Sequence, residues 1–396
     1  MTSAKRWILP DGVEEILPSE AYKLESLRRQ LLDLYESWGY QLVITPLIEY
    51  LDSLLVGSSS DLELHTFKII DQLSGRMMGI RADITPQAAR IDAHCLNREG
   101  PVRLCYADSV LHTKPQGLLT SRVPIRVGAE LYGYAGVECD IELVCLMYAT
   151  LNAVEIGDLH IVLGHVGLFR SLVTEAALSS DTQQVLFEAV QRKAYDEIDA
   201  VINAAVKDVK LGELLKRLSR LSGDASVLEE AKVVFTDAPA SVKREFDDLV
   251  AIVEGVRKRI PEVVLCFDLC ELRGFEYHTG IVFAAYTPSY GRAVAKGGRY
   301  DHIGEVFGRA RPASGFDSDL KTLARLTSKT FQRPEGILAP ALDSSELLAV
   351  IDELRSKGEI VVGALTSETI NKSAAAELGC NRRLVLKADK WQVENF

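Results

Sequence analysis

Residues 271–286 read ELRGFEYHTGIVFAAY, and residues 296–301 read KGGRYD. The first piece gathers Arg273, Glu276, Tyr277 and His278 and then turns apolar, as a strand does. The second is a glycine-rich corner carrying Arg299 and Tyr300. Together they read as the wall of a small polar pocket.

Outward from that wall the chain changes character several times. EVVLCFDLCEL, just before it, reads as β. From about residue 166 to 260, DTQQVLFEAVQRKAYDEIDAVINAAV and ASVKREFDDLVAIVEGVRKRI carry helical periodicity with charged outer faces, which predicts a helical insertion. Before the insertion, short β-rich runs alternate with turns. FKIIDQLSGRMMGIR (67–81) reads as a hairpin with Ser74-Gly75 at its tip. YQLVITPLIEY (40–50) reads as a strand ending at Pro46. Ser19 is the expected N-cap of a helix running to about Trp38, with Leu24, Leu27, Leu31 and Leu34 at helical spacing and Gly39 as its stop. After Arg333, EGILAPAL, SSELLAVIDELRSKG and EIVVGAL alternate strand, helix, strand, as in a small α/β module. The expected organisation is a core in two parts, 1–165 and 261–330, interrupted by the helical insertion 166–260 and followed by a truncated α/β module at 331–396.

Composition bounds the function. A chain of 396 residues, 47% apolar and 26% charged, suits two or three globular domains. A net charge of −11 argues against a broad nucleic-acid footprint. No apolar run reaches the roughly 18 to 20 residues of a membrane span, and MTSAKRWILPDG lacks a secretory apolar core. The expected location is therefore cytoplasmic. The seven cysteines include no CxxC pair, and the seven histidines are scattered, so no metal site is expected. Cys266 and Cys270 are expected to pack as small hydrophobes.

Several polar runs each admit a plain and a functional reading. In GIRADITPQAAR (79–90), Arg81, Asp83 and Thr85 alternate, so an extended chain turns them to one face, either solvated or converging on a site. In SRVPIRVGAELYG (121–133), Arg126 and Glu130 suit a cross-strand ion pair or a pocket. KDVKLGELLKRLSRL (207–221) fits a solvated helix face better than a nucleic-acid grip. In ALTSET (364–369), the hydroxyls suit an N-cap better than an anion site.

The order of the pieces is more specific than any one of them. LPDGVEEILP, YQLVITPLIE, IRADIT, KPQG, SRVPIRVGAELYG, ELRGFEYHTG, KGGRYD and RPASGFDSDL succeed one another across residues 8 to 325. In that order the chain resembles the histidyl-tRNA synthetases. The resemblance implies an α+β fold of the class II aminoacyl-tRNA synthetase type: a six-stranded antiparallel sheet flanked by helices, a helical insertion, and a dimer built on the first motif.

The departures from that family matter as much. Leu111 stands where the synthetases place an ATP-binding Arg before their RPQ run, and in GFDSDLKT Asp319 replaces a glycine and Thr322 a second Arg. An Arg fork suits phosphate, whereas Leu and Thr cannot neutralise it. Only about sixty residues follow the third motif, against the roughly one hundred of an anticodon-binding domain. Neither adenylation nor a tRNA partner is expected. The amino-acid half of the family's pocket is better kept. Asp83 replaces a Glu and Thr85 is retained. Glu130 is retained, while Arg126 stands for a Gln. Arg273 and Tyr277 match, and His278 replaces a Tyr. The resemblance implies a free amino acid held here, with its ammonium on Asp83, its carboxylate on Arg273, and an imidazole near Glu130 with Tyr277 or His278. The same groups could also satisfy one another as a structural network.

SRVPIRVGAELYG and LRGFEYHTGIVFAAY resemble most closely the regulatory subunits of short-form ATP phosphoribosyltransferase, the first enzyme of histidine biosynthesis. That resemblance implies a subunit with no catalytic residues or cofactor of its own. It would activate a small catalytic subunit, which carries the chemistry with Mg²⁺, and mediate feedback inhibition by L-histidine. The chain shows no acid pair with a Thr-Gly-rich loop for phosphoribosyl pyrophosphate. A working synthetase and a histidine sensor without a transferase partner remain the alternatives.

Overall fold

The computed structural model describes residues 8–55, 60–115, 117, 120–272, 274–275, 277–366 and 371–396. Two units emerge, Met1–Lys329 and Thr330–Phe396.

In the first unit, helix α1 (Pro18–Ser37) buries Leu24, Leu27, Leu31 and Tyr35 along one stripe. Its start corrects the expected cap. Leu17 takes the cap position without a side-chain bond and Pro18 opens the first turn, where its missing N–H costs nothing, so Ser19 lies inside the helix. Gly39, at φ +83°, terminates it.

The strands of this unit are β1 (Gln41–Leu42), β2 (Ile48–Tyr50), β3 (Phe67–Ile70), β4 (Met77–Ile80), β5 (Val102–Ser109), β6 (Ile125–Tyr132), β7 (His160–His165), β8 (Ser222–Gly223), β9 (Val264–Asp268), β10 (Ile281–Thr287), β11 (Tyr290–Arg299) and β12 (Ala313–Asp319). Among the described residues, nine of them form one sheet, in the order β1-β5-β6-β12-β11-β10-β7-β9-β8. From β5 to β7 each strand is antiparallel to the next, which is the expected six-stranded body. The sheet is wider than expected. β1 adds in parallel at one edge, and β9 and β8 extend the other, β9 in parallel with β7. These additions pair backbone groups that an open edge would leave unpaired.

The run 40–50 is likewise not one strand. β1 belongs to the large sheet, whereas β2 pairs with β4, and the β3–β4 hairpin completes a separate three-stranded sheet. The two pieces serve different sheets, and Pro46 between them has no N–H to give either.

The remaining helices of this unit are α2 (Leu51–Leu54), α3 (Ser60–His65), α4 (Thr85–Arg90), α5 (Val137–Ala153), α6 (Val166–Glu175), α7 (Ser180–Gln191), α8 (Tyr195–Ala205), α9 (Val209–Leu218), α10 (Ser226–Val234), α11 (Ala240–Arg259) and α12 (Leu320–Leu326). The helical span 166–260 is fixed to the sheet at its start, where the Val166 N–H bonds Gly280 O at 2.9 Å. α11 packs along α5, burying Phe246, Leu249, Ile252, Val253 and Val256. In α9, Leu215 and Leu218 face inward and the lysines outward, the plain amphipathic arrangement. Cys270 is buried and Cys266 half-buried.

The second unit contains β13 (Gly336–Ala339), α13 (Ser345–Ser356), β14 (Val361–Gly363), α14 (Lys372–Glu377), β15 (Cys380–Lys387) and β16 (Lys390–Asn395), with sheet order β14-β13-β15-β16. It closes over a core of its own built from Ile337, Ala339, Leu347, Ile351, Val361 and Leu384. Residues 367–369 of the hydroxyl-rich run lie outside the described residues. The helix that follows is capped by Asn371, whose side chain accepts the Ala374 N–H. Among the described residues no helix is long and apolar enough to cross a membrane.

Candidate functional site

A cavity of about 380 Å³ lies in the first unit, over one face of the large sheet. Strand register lays out its floor. Glu130 on β6 stands opposite Gly315 on β12, which stands opposite Gly298 on β11. Two residues along, Gly128, Asp317 and Lys296 form a second row. Arg126 and Asp319 begin a third. Side chains two apart share a face, so these rows look up together.

The glycines make the room. A methyl at Gly315 would land on the Glu130 carboxylate, one at Gly298 on the His278 ring, and one at Gly128 on the Tyr106 hydroxyl. The hollow permits a buried hub in the first row. Glu130 Oε1 accepts from Thr85 Oγ1 and from Tyr106 OH, each at 3.0 Å, and Oε2 accepts from Tyr300 OH. Burial pushes the Glu130 carboxyl up to about 8, although the three hydroxyl donors pull the other way.

Asp83 and Thr85 reach the cavity from the start of α4. Asp83 Oδ1 accepts the backbone N–H groups of Ile84 and Thr85 at 2.6 and 3.2 Å, which fixes the helix entry. Burial, and then the Asp317 carboxylate, push the Asp83 carboxyl up, against the charge of Arg126. Arg81 does not join them. Its guanidinium is buried on Thr45, Ser109 O and Asp108. The strand ends at Ile80 and the chain bends at Ala82 and Ile84, so the extended alternation that would have brought all three to one face is lost between Arg81 and Thr85.

Arg126 and Glu130 are not paired with each other. Arg126 Nη1 lies 3.4 Å from Asp317 Oδ2, across the strands. Burial disfavours its charge, but Asp317, Asp83 and Asp319 outweigh that and hold the guanidinium protonated.

The turn at 274–278 closes one side, its Tyr277 and His278 N–H groups both returning to Gly274 O. Tyr277 stacks on Tyr300, with ring centroids 5.1 Å apart. Burial lowers the His278 pKa to about 4, so the ring is neutral, and Nδ1–H donates to Arg299 O at 3.2 Å. That tautomer leaves Nε2 as an acceptor. The turn is held from outside the cavity. Arg170 Nη2 of α6 donates to Phe275 O at 2.8 Å and His278 O at 2.9 Å, and Phe275 sits against Phe169 and Phe187. Arg273 lies outside the described residues. Arg299 of the glycine corner serves elsewhere, paired with buried Asp140 at 2.6 Å.

The positions that carry ATP-binding arginines in synthetases are structural here. Thr322 Oγ1 donates to Asp319 Oδ2 at 2.8 Å, while Asp319 Oδ1 accepts the N–H groups of Lys321 and Ile125 at 3.2 and 3.3 Å. Asp319 is thus the N-cap of α12. Leu111 is half-buried, its N–H on Arg81 O at 3.0 Å.

Comparison with known proteins gives a family match for each of the two units. Residues 12–323 match the histidyl-tRNA synthetase family, and residues 334–394 match the ATP phosphoribosyltransferase subunit HisZ C-terminal domain. An ATP phosphoribosyltransferase regulatory subunit of Ectopseudomonas mendocina is 52% identical over 394 residues, 99% of each chain. The chain belongs to the ATP phosphoribosyltransferase regulatory subunits. A second member, from Thioalkalivibrio sulfidiphilus, is 52% identical over 398 residues and all of both chains. Among solved structures, a Bacillus halodurans protein described as a regulatory subunit/histidyl-tRNA synthetase superposes with TM-score 0.81 at 23% identity, covering 95% of this chain and 97% of that one. The histidyl-tRNA synthetase of Nostoc superposes with TM-score 0.79 at 20% identity, covering 98% and 95%. At these identities the superpositions establish the fold.

In this regulatory subunit the cavity brings together Asp83, Thr85, Arg126, Glu130, Tyr277 and His278, six of the seven residues expected at the site. Four further residues of the floor and hub were not singled out as site residues: Tyr106, Tyr300, Lys296 and Asp317. Tyr300 sits in the quoted KGGRYD, and Asp317 follows Gly315 by two in a strand that is otherwise mostly buried. Those were the available signals. Nothing local marks Tyr106. Among the described residues, no group of three or more His, Cys, Asp or Glu is placed to hold a metal.

Proposed function

We propose that this regulatory subunit binds free L-histidine in the cavity and couples it to a short-form ATP phosphoribosyltransferase catalytic subunit. Asp83 takes the ammonium and Arg273 the carboxylate. Thr85, Arg126, Glu130, Tyr277 and His278 surround the rest, with the imidazole toward Glu130. The chain assembles with the catalytic subunit, raises its turnover, and lowers it again when histidine is bound. Catalysis, with its Mg²⁺, stays on the partner, and this chain contributes no cofactor and charges no tRNA. The cytoplasm is its expected place of work.

The observation that carries this reading is the contrast between the cavity and the sheet surface beside it. A buried acid with three hydroxyl partners is kept at the amino-acid end, while the arginine positions of the nucleotide end are Leu111 and Thr322, the latter bonded to the cap of α12. A protein of this kind responds to an amino acid without activating it. Self-association as a dimer is part of the reading. Leu42, Ile44, Leu47 and Ile48 of the first motif, with Ile70, Leu73 and Met77 of the β3–β4 hairpin, are large apolar residues left exposed.

The test is an assay of the short catalytic subunit alone, with this chain, and with this chain plus histidine. Turnover should rise on adding the chain and fall again with histidine. A coupling of about 1 to 3 kcal/mol corresponds to roughly 5- to 150-fold. Unchanged turnover on adding the chain refutes the activating role. Histidine inhibition that survives Glu130→Ala places the sensor elsewhere.

A further inference from the structure

We propose that Lys296 is a binding residue for the ligand's carboxylate and sets the cavity's preference for a zwitterionic amino acid over a cationic amine. The inference rests on the reading that free histidine is the ligand, and it adds to that reading a contact that neither motif resemblance nor family membership assigns.

Charge balance in the cavity leads to it. Among the described lining residues, Asp83, Glu130, Glu271 and Asp317 are acidic, and Arg126 and Lys296 are basic. Of the three lining histidines, His65, His112 and His278, the last two are neutral because burial lowers each pKa to about 4. An ammonium therefore meets a surplus of carboxylates. A carboxylate entering the same space needs a cation, and most cations nearby are committed. Arg126 is on Asp317, Arg299 on Asp140, Lys321 on Glu14 and Ser121, and Arg122 on backbone carbonyls. No described residue is hydrogen-bonded or ion-paired to the Lys296 ammonium.

Its position suits the task. Lys296 lies in the second row of the floor, opposite Asp317 on one side and Ala284 on the other, and is itself exposed at the mouth. Its charge acts on Asp83, His112 and His278, which come from three different walls. A compact, strongly hydrated ammonium on a flexible stem reaches one carboxylate oxygen without the fixed fork an Arg needs. A ligand lying along the second row would set its ammonium toward Asp83 and its carboxylate toward Lys296.

The experiment crosses a change in the residue with a change in the ligand. Calorimetry measures histidine and histidinol, in which CH₂OH replaces the carboxylate, on wild type, Lys296→Ala and Lys296→Arg, with thermal melting of each as a folding control. A charged hydrogen bond at an exposed mouth is expected at the low end of its range, so Lys296→Ala should weaken histidine roughly ten-fold. Histidinol should bind that variant as well as wild type or slightly better, because removing a cation leaves the cavity more negative. The preference for histidine over histidinol then falls about ten-fold, and Lys296→Arg restores part of it. If wild type binds histidine and Lys296→Ala weakens both ligands equally, or neither, the assignment is overturned while the histidine reading stands. If wild type binds neither ligand, both fall.

Discussion

The first and third rows lie on the same two strands, β6 and β12, yet their polar groups are committed in opposite ways. At the first row, Glu130 gathers hydroxyls from three separate elements, Thr85 of α4, Tyr106 of β5 and Tyr300 after β11. Nothing local requires that assembly, since it leaves a carboxylate buried, which is costly. At the third row, Asp319 and Thr322 satisfy each other and the start of α12, as any helix terminus requires. One end retains a buried polar cluster that the fold does not need. The other has turned its polar residues over to the scaffold.

The largest expected effect breaks the first end. Glu130→Ala removes the shared acceptor of three buried donors, and histidine affinity should fall about a hundred-fold or more by calorimetry. Gly315→Ala should do nearly as much with one methyl, because that methyl takes the space of the carboxylate. Normal binding by Gly315→Ala would show that the hub is not the ligand site.

A pH series sharpens the same point. The folded pKa of Glu130, about 8, lies above its ordinary value of 4.5. The folded state therefore holds this proton more tightly, and the stability it contributes is present in full below about pH 4.5. That contribution is lost as pH rises through about 8. Across that window the unfolding free energy of wild type should fall relative to Glu130→Gln by an amount on the order of a few kcal/mol. Parallel curves from urea titrations would contradict a buried, titrating Glu130.

Arg170→Ala tests whether the first end depends on the helical span. Its two carbonyl bonds hold the 274–278 turn, so its loss should weaken histidine roughly ten-fold. Activation of the catalytic subunit in the absence of histidine should be retained. Unaltered affinity would show the turn to be self-supporting.

The smallest effect belongs to the other end. Asp319→Ala should cost about 1 kcal/mol of stability, the usual value of an N-cap, and leave histidine affinity within about two-fold. A large loss of affinity there would mean that the nucleotide end still serves the ligand.

Much of this was legible before any coordinates, and unevenly so. Glu130, Thr85 and Asp83 lie in contiguous motifs whose order specifies the family, and the six-stranded antiparallel body followed from the same order. Local rules misled in particular places. Arg81 has the right spacing but belongs to the core, because the strand ends at Ile80 and the chain bends at Ala82 and Ile84. The run 40–50 reads as a strand ending at Pro46, but only Gln41–Leu42 pairs with β5, and Ile48–Tyr50, beyond the proline, pairs with β4. Asp319 reads only as an acid in place of a glycine, yet its oxygens are taken by α12 and Ile125.

Sequence by itself determined the family, the antiparallel frame, and the chemical types in the cavity and beside it, since these are written in short ordered motifs and in the identity of single residues such as Leu111 and Thr322. Only the tertiary structure decided which of those residues meet. Tyr106, Thr85, Glu130 and Tyr300 are spread over more than two hundred positions of the chain, and three neighbouring strands with glycines at Gly128, Gly298 and Gly315 are what let them converge. Strand pairing joins residues remote in sequence through register, which short-range periodicity does not encode. The same register puts Lys296 beside Asp317.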